Sequence, residues 1–351
     1  MGATGMTPVD AAPFTLRQAT GTLLDGAAKL GKELGAVKVE AVLSQANREA
    51  VRRGAPTAIG TMRPKPVDWY AFDEKDNDTP DWFPQGLTCG ADAGKVSAPV
   101  FVVSWYFKPL LPVVERGIRI TFLDPKTLHY QHALLVEAAP DGSYAPINIH
   151  AGGIAWYGNL LYVADTTRGL RVFDMRRIYD LRTAQKDLGD PTKIGRSGGR
   201  FHAFGYRYLI PQTDFWRTAT PGAVFSFATI DRTLTPHAII AGEYFETATN
   251  GRVARWNLNA DGTIGELGLA HARDAFQFNQ PKIQGAVSAG GTWYLSQAGG
   301  SGTNGRLVVN TATASTVRPF PIGPEDLTVQ KGQLWSVTEF RGKRVVFGVP
   351  L

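Results

Sequence analysis

Carboxylates, imidazoles, amides and aromatics stand at the two ends of short hydrophobic runs in this sequence, and those positions are where chemistry would be done. Runs that open on Gln85, His150, His202, Gln284, Glu325 and Asp326 alternate with runs that close on Trp105, Tyr106, Asp165, Gln212, Glu243, Tyr244, Gln297 and Glu339, with Arg341 just beyond. If both sets of ends meet at one concave surface, they supply the few convergent polar groups and apolar walls of a small-molecule site. Two carboxylates in unlike surroundings can divide the roles of proton donor and acceptor, as glycoside hydrolysis and lyase chemistry require. Glu325, Glu339 and Asp165 are the candidate catalytic acids, and His150 is the alternative proton carrier. The other residues at these ends are candidate substrate-binding groups, with Trp82, Trp105, Tyr106 and Tyr244 placed to stack on a flat ligand. A bland reading competes with each: polar strand ends also hydrate a channel or cap a turn.

His150, His202, Asp165 and Glu339 could also serve as nitrogen and oxygen donors to a divalent metal. No HExxH or other spaced ligand motif supports that use, so no metal or other cofactor is assigned. The single cysteine, Cys89, excludes an internal disulfide and a cysteine-built zinc site, and reads as a small buried hydrophobe. His129, His132 and His271 read as surface residues, and His237 is expected at the end of its blade away from the site. There is no G-x-S-x-G elbow, phosphate loop or dinucleotide fingerprint. Gly299-Gly300-Ser301-Gly302 joins two β-runs and reads as a hairpin loop.

What must position these ends is a repeated unit. The 39 glycines and 22 prolines in 351 residues follow no collagen-like period and suit a chain of short strands and tight turns. A three-beat order recurs: Gly152-Gly153-Ile154-Ala155-Trp156, then Leu161-Tyr162-Val163-Ala164-Asp165, then Gly169-Leu170-Arg171-Val172-Phe173-Asp174. Further copies run through 86–124, 225–258, 285–309 and 326–349, with a degenerate one at 202–212. Meanders of roughly 40 to 50 residues that cannot bury their own faces are the sequence sign of a propeller. The expected fold is therefore an all-β propeller of about six four-stranded blades over 66–351, or five if 202–274 forms one elaborated blade. The last copy ends before its fourth strand, so 66–72 is expected to close the ring. Residues 1–65 read as a helical N-terminal arm and linker, with Leu23, Ala27, Leu30 and Leu34, then Val39, Leu43, Ala46 and Ala50, at helical spacing.

The phrase Ile149-His150-Ala151-Gly152-Gly153-Ile154, followed by Leu161-Tyr162-Val163-Ala164-Asp165-Thr166, resembles the inner and second strands of six-bladed propellers of the NHL and strictosidine-synthase-like kind. Asp81-Trp82-Phe83-Pro84-Gln85-Gly86 and Gly323-Pro324-Glu325-Asp326-Leu327 are similar to segments of secreted actinobacterial propeller proteins. These resemblances imply the fold and a secreted or extracytoplasmic location; they bring no activity, and the calcium ligands of lactonase-type propellers have no counterpart here. The sequence as given carries no signal peptide and no apolar stretch of the roughly 18 residues a membrane span needs. Its 37 basic and 31 acidic residues give +6 without a basic run, so nucleic acid is not an expected partner. The function expected is an acid–base enzyme, a hydrolase, lyase or cyclase, acting on a small molecule or glycan. The alternatives are a ligand-binding propeller without catalysis and a scaffold for a protein partner.

Overall fold

Along the strands apolar residues point alternately to the two faces of each sheet, and both faces are buried. Phe101, Val103 and Trp105 pack toward one neighbouring sheet, while Val100 and Val102 pack toward the other. A meander of this kind is stable only between two others, and closing a ring of them meets that demand on every side. The computed structural model describes residues 3–63, 65–96, 99–111, 113–219 and 223–351, and it is an all-β propeller.

The ring has five blades. In chain order from the inside outward, blade 1 is Trp82–Cys89, Phe101–Phe107, Ile118–Leu123 and His129–Ala138, and blade 2 is Ile154–Tyr157, Leu160–Asp165, Gly169–Asp174 and Tyr208–Thr218. Blade 3 is Phe227–Asp231, Ala238–Gly242, Arg252–Asn257 and Asp274–Phe278, and blade 4 is Ile283–Ala289, Thr292–Gln297, Asn304–Asn310 and Ser315–Ile322. Blade 5 combines Pro324–Gln330, Gln333–Thr338 and Val345–Pro350 with Asp68–Ala71, so the strand expected from 66–72 does close the ring. Five apolar wedges fill the gaps between neighbouring blades; the one between blades 5 and 1 stacks Trp335, Tyr70, Phe101 and Trp105.

The count of five replaces the leading expectation of six. The degenerate copy at 202–212 divides between two elements: His202 ends a hairpin of Ile194–Ser197 with Arg200–Ala203, and Tyr208 opens the outer strand of blade 2. That strand, Tyr208–Thr218, pairs parallel to blade 1's outer strand at its start and antiparallel to blade 2 beyond. One long edge strand that serves two blades looks like an extra repeat when only hydrophobic runs are counted.

The described residues of 1–65 form a belt rather than a purely helical arm. Helices form at Leu23–Gly31 and Val39–Ser44, which leaves Leu34, Ala46 and Ala50 of the helical spacing outside them, and among the described residues five short strands lie around them. Met6–Val9 pairs with the edge of blade 3, Leu16–Gln18 with blade 2, Arg48–Glu49 with blade 1 and Val51–Arg52 with the closing strand of blade 5. The outer strand of each meander leaves a row of unpaired backbone groups, and the belt pairs with stretches of four of them. Helices of nine and six residues have little stability alone, so edge pairing claims the residues between them.

Glycines let the inner strands crowd the axis. A Cβ on Gly153 would lie 2.0 Å from the amide nitrogen of Ala228 in blade 3, and one on Gly285 would lie 2.8 Å from Cα of Asp326 in blade 5. Gly153→Ala is therefore expected to lower stability by about 1–3 kcal/mol or more, read as a lower urea midpoint, because backbone rather than a flexible side chain must yield. A midpoint equal to that of the wild type would show that the inner strands are looser than this packing.

Candidate functional site

Each inner strand starts, and each second strand ends, on the same face of the ring, and on that face the structure gathers part of the expected set. Gln85 Nε2 donates to Glu339 Oε2 at 2.9 Å, and Gln284 Nε2 donates to Glu325 Oε1 at 3.2 Å. The side chains of Gln85, Gln284, Glu325 and Glu339 thus come from blades 1, 4 and 5. Burial, then the charges of Glu339 and Glu325, raises the Tyr106 hydroxyl pKa; for Tyr244 burial and its bond to Glu246 do so first, with smaller contributions from Glu325 and Glu339. His150 rests its ring on Tyr106 with centroids 4.1 Å apart, and Tyr106 stacks in turn on Phe83 at 5.5 Å.

The two glutamates occupy unlike surroundings. Glu325 is 1% exposed, and its second carboxyl oxygen, Oε2, has no hydrogen-bond partner among the described residues. Burial first, then the charges of Glu339 and Asp326, push its pKa well above the usual carboxylate range. Glu339 is half-buried, and burial raises its pKa too, but the Gln85 amide, Arg344 and Lys108 act against that rise. Both carboxyls therefore keep their protons to higher pH than an ordinary glutamate does, Glu325 by the larger margin. Loss of solvation, then the charge of Lys108, lowers the His150 pKa to about 4, so its ring is neutral at pH 7 and a weak base.

Asp326 is fully buried, and its Oδ2 accepts the backbone N–H groups of Leu87 at 3.3 Å and Ile154 at 3.1 Å. The amides of Ala228 and Leu327 also donate toward this carboxyl group. It therefore fastens inner strands of four blades beneath the site.

The other expected residues lie elsewhere or are engaged. Trp105 is fully buried between blades 1 and 5, with Nε1 donating to Thr121 Oγ1. Asp165 accepts from Arg171 Nε at 2.8 Å, and Gln212 accepts from the same guanidinium at 2.6 Å. Glu243 is held by Arg252, Gln297 donates to the Pro281 carbonyl, and Arg341 pairs with Asp78. His202 is packed in the hairpin of blade 2, accepting the Asp190 N–H at Nδ1. Of the four residues weighed as metal donors, Asp165 and His202 thus have separate engagements, and among the described residues no group of three or more His, Cys, Asp or Glu could hold a metal ion.

Sequence reasoning missed Arg344 and misplaced His132. Arg344 is buried with its guanidinium 5.1 Å from the Phe83 ring; its Nε donates to the Glu339 carbonyl, and burial lowers its pKa to about 10. Its signal was its position across a hairpin turn from Glu339, which brings it back beside that residue. His132, expected at the surface, is 2% exposed because its strand is covered by the crossover from blade 5 to blade 1. His237 bonds Tyr157 at the far end of its blade, as expected, and Cys89 is buried.

Among the described residues no helix is long and apolar enough to cross a membrane. No protein-family model matches the chain, and no curated protein matches it. Among solved structures it is similar to hydrazine synthase of Kuenenia stuttgartiensis, at 12% identity over 74% of this chain and 75% of that one, with a TM-score of 0.31. It is also similar to a GH43_1 enzyme from Xanthomonas citri, at 8% identity over 93% of both chains, with a TM-score of 0.36. Likenesses at these scores carry no argument about activity, and the fold rests on the strand pairing described above.

Proposed function

We propose that this propeller is an acid–base enzyme that acts on a small molecule or a glycan at the mouth formed by Glu325, Glu339, Gln85 and Gln284. The observation that carries the reading is the buried, unpartnered Oε2 of Glu325 within the electrostatic reach of a second, half-buried carboxylate. A buried polar atom without a partner is uncommon, and a site that receives a ligand hydroxyl or ring oxygen accounts for it. Glu325, kept protonated, is the proton donor; Glu339, stabilised by Gln85, Arg344 and Lys108, is the base or nucleophile. Tyr106, Tyr244 and Phe83 supply aromatic surface for a sugar or other ring. The same residues suit a hydrolase and a lyase, and the substrate decides between them.

The test is a thermal-shift screen of the full chain against neutral and acidic sugars and small carboxylic acids, with a Glu325→Ala, Glu339→Ala double variant, which removes both ligand-contacting side chains, alongside. A ligand that raises the midpoint of the wild type but not of the variant is the expected result, since preferential binding to the folded state stabilises it. If every ligand found shifts both proteins equally, the mouth is not the site.

A further inference from the structure

A cavity of about 320 Å³ opens between blade 1, the crossover from blade 5, and the turn before the outer strand of blade 2. Neither Glu325 nor Glu339 lines it, so it is separate from the proposed catalytic mouth. Its lining holds five cations, Arg48, Lys75, Arg116, Arg119 and Arg207, against one acid, Asp76.

The pairing of these charges leaves a surplus. Asp76 meets Arg119 at 2.8 Å, Asp73 meets Arg48 at 3.3 Å, and Asp180 meets Arg207 at 2.7 Å. Five cations less three carboxylates leave two positive charges, those of Arg116 and Lys75. Arg116 is half-buried, with its guanidinium 5.3 Å from the Phe204 ring and 5.8 Å from the Phe107 ring; among the described residues no carboxylate pairs with it. Lys75 is exposed at the rim and likewise has no ion-pair partner among them. On the cavity wall Arg119, 3% exposed, is held with its guanidinium carbon 4.4 Å from the Trp82 ring and 4.8 Å from the Trp105 ring. Its Nε is buried and has no acceptor among the described residues. The Tyr206 hydroxyl accepts from Arg119 Nη1, which leaves its own proton free to donate.

We infer that this cavity binds a small tetrahedral dianion, phosphate or sulfate, free or as a monoester, between Arg116, Lys75 and the Tyr206 hydroxyl. Two uncompensated cations match two negative charges, and a forked guanidinium on an aromatic platform keeps its donors directed at oxyanions. The cavity is at the small end of the range for ligand pockets, which suits an anionic group or a compact ester rather than a long chain.

The experiment is calorimetric titration of the full chain with inorganic phosphate, sulfate and glycerol 3-phosphate, at constant ionic strength balanced with chloride. The expected result is saturable binding of phosphate or its monoester that Arg116→Ala and Lys75→Ala each weaken by about tenfold, with circular dichroism unchanged. Tighter binding of glycerol 3-phosphate than of inorganic phosphate assigns the site to an ester, and the reverse order assigns it to the free ion. Arg116→Lys should retain part of the affinity, since it keeps the charge and loses the fork. Phosphate heats no larger than those of chloride, or wild-type affinity in both alanine variants, would overturn the inference.

Discussion

Glu325→Gln is expected to lower turnover of the mouth's substrate by about 10²–10⁴-fold while leaving its affinity within a few-fold, because the amide keeps the shape and loses the transferable proton. The pH profile separates this role from a structural one. Glu325 has a folded-state pKa well above the usual range, so the active form loses its donor as pH rises through that value, and this sets the alkaline limb of kcat/KM. Glu339 must be ionised, so its protonation sets the acid limb. In Glu339→Gln the charge that raises Glu325 is gone, and the remaining alkaline limb moves to lower pH. Stability gives an independent sign. A carboxyl with a raised folded pKa holds its proton where the unfolded chain has released it, so the folded state loses stability as pH rises from the ordinary glutamate range toward the raised value. Glu325→Gln removes that loss and should make the fold less sensitive to alkali. Equal turnover in the wild type and Glu325→Gln, or an unaltered alkaline limb, would remove Glu325 from the chemistry.

The ends of strands were legible because a propeller turns sequence position into place. Gln85, Tyr106, His150, Gln284, Glu325 and Glu339 sit at inner-strand starts or second-strand ends, and all reach the mouth by that rule. The rule says which end of a strand a residue occupies, but it is silent on which face its side chain takes. Trp105 precedes Tyr106 by one residue, so the pleat turns it into the wedge between blades. Asp165 and Gln212 are engaged by a neighbour that the sequence does not announce: Arg171, on the strand beside both, binds them, and cross-strand partners depend on register that hydrophobic runs do not reveal. The blade count failed at Tyr208–Thr218 because an edge strand shared by two sheets has no local signature distinct from that of a new blade. In the belt, helical spacing located the helices but not the strands, since two to four residues pair at each edge and so short a run shows no alternation.

Asp76→Ala is expected to destabilise the protein by about 3–5 kcal/mol, the cost of leaving a buried charge without its partner. Asp76 lies on the crossover between the closing strand of blade 5 and the first strand of blade 1, and its two oxygens accept from Arg119 at 2.8 Å, Tyr130 at 2.8 Å and His132 at 2.9 Å. His132 is neutral there, because burial first and then Arg119 lower its pKa to about 4. An ionised Asp76 can only accept, so the proton of the neutral His132 ring lies on Nε2, and Nδ1 then accepts from the Thr121 hydroxyl, whose oxygen accepts from Trp105 Nε1. Burial alone would raise the Asp76 pKa, but His132, Arg119 and Arg48 outweigh it and hold the carboxyl well below its usual range. Both groups therefore have folded pKa values below their unfolded ones, the unfolded chain binds more protons, and stability falls as pH falls. For His132 the loss runs from about pH 6.5 to about 4, and for Asp76 it continues below the ordinary carboxylate range. His150, also lowered to about 4, contributes in the same direction, so the wild type must be compared with His132→Gln to isolate the clasp. Urea midpoints at pH 7, 5 and 4 should decline less steeply in His132→Gln than in the wild type, and Asp76→Ala should start several kcal/mol lower at pH 7. Identical pH dependence in the wild type and His132→Gln, together with a loss under about 1 kcal/mol in Asp76→Ala, would mean that the aromatic wedge between blades 5 and 1 closes the ring without this polar clasp.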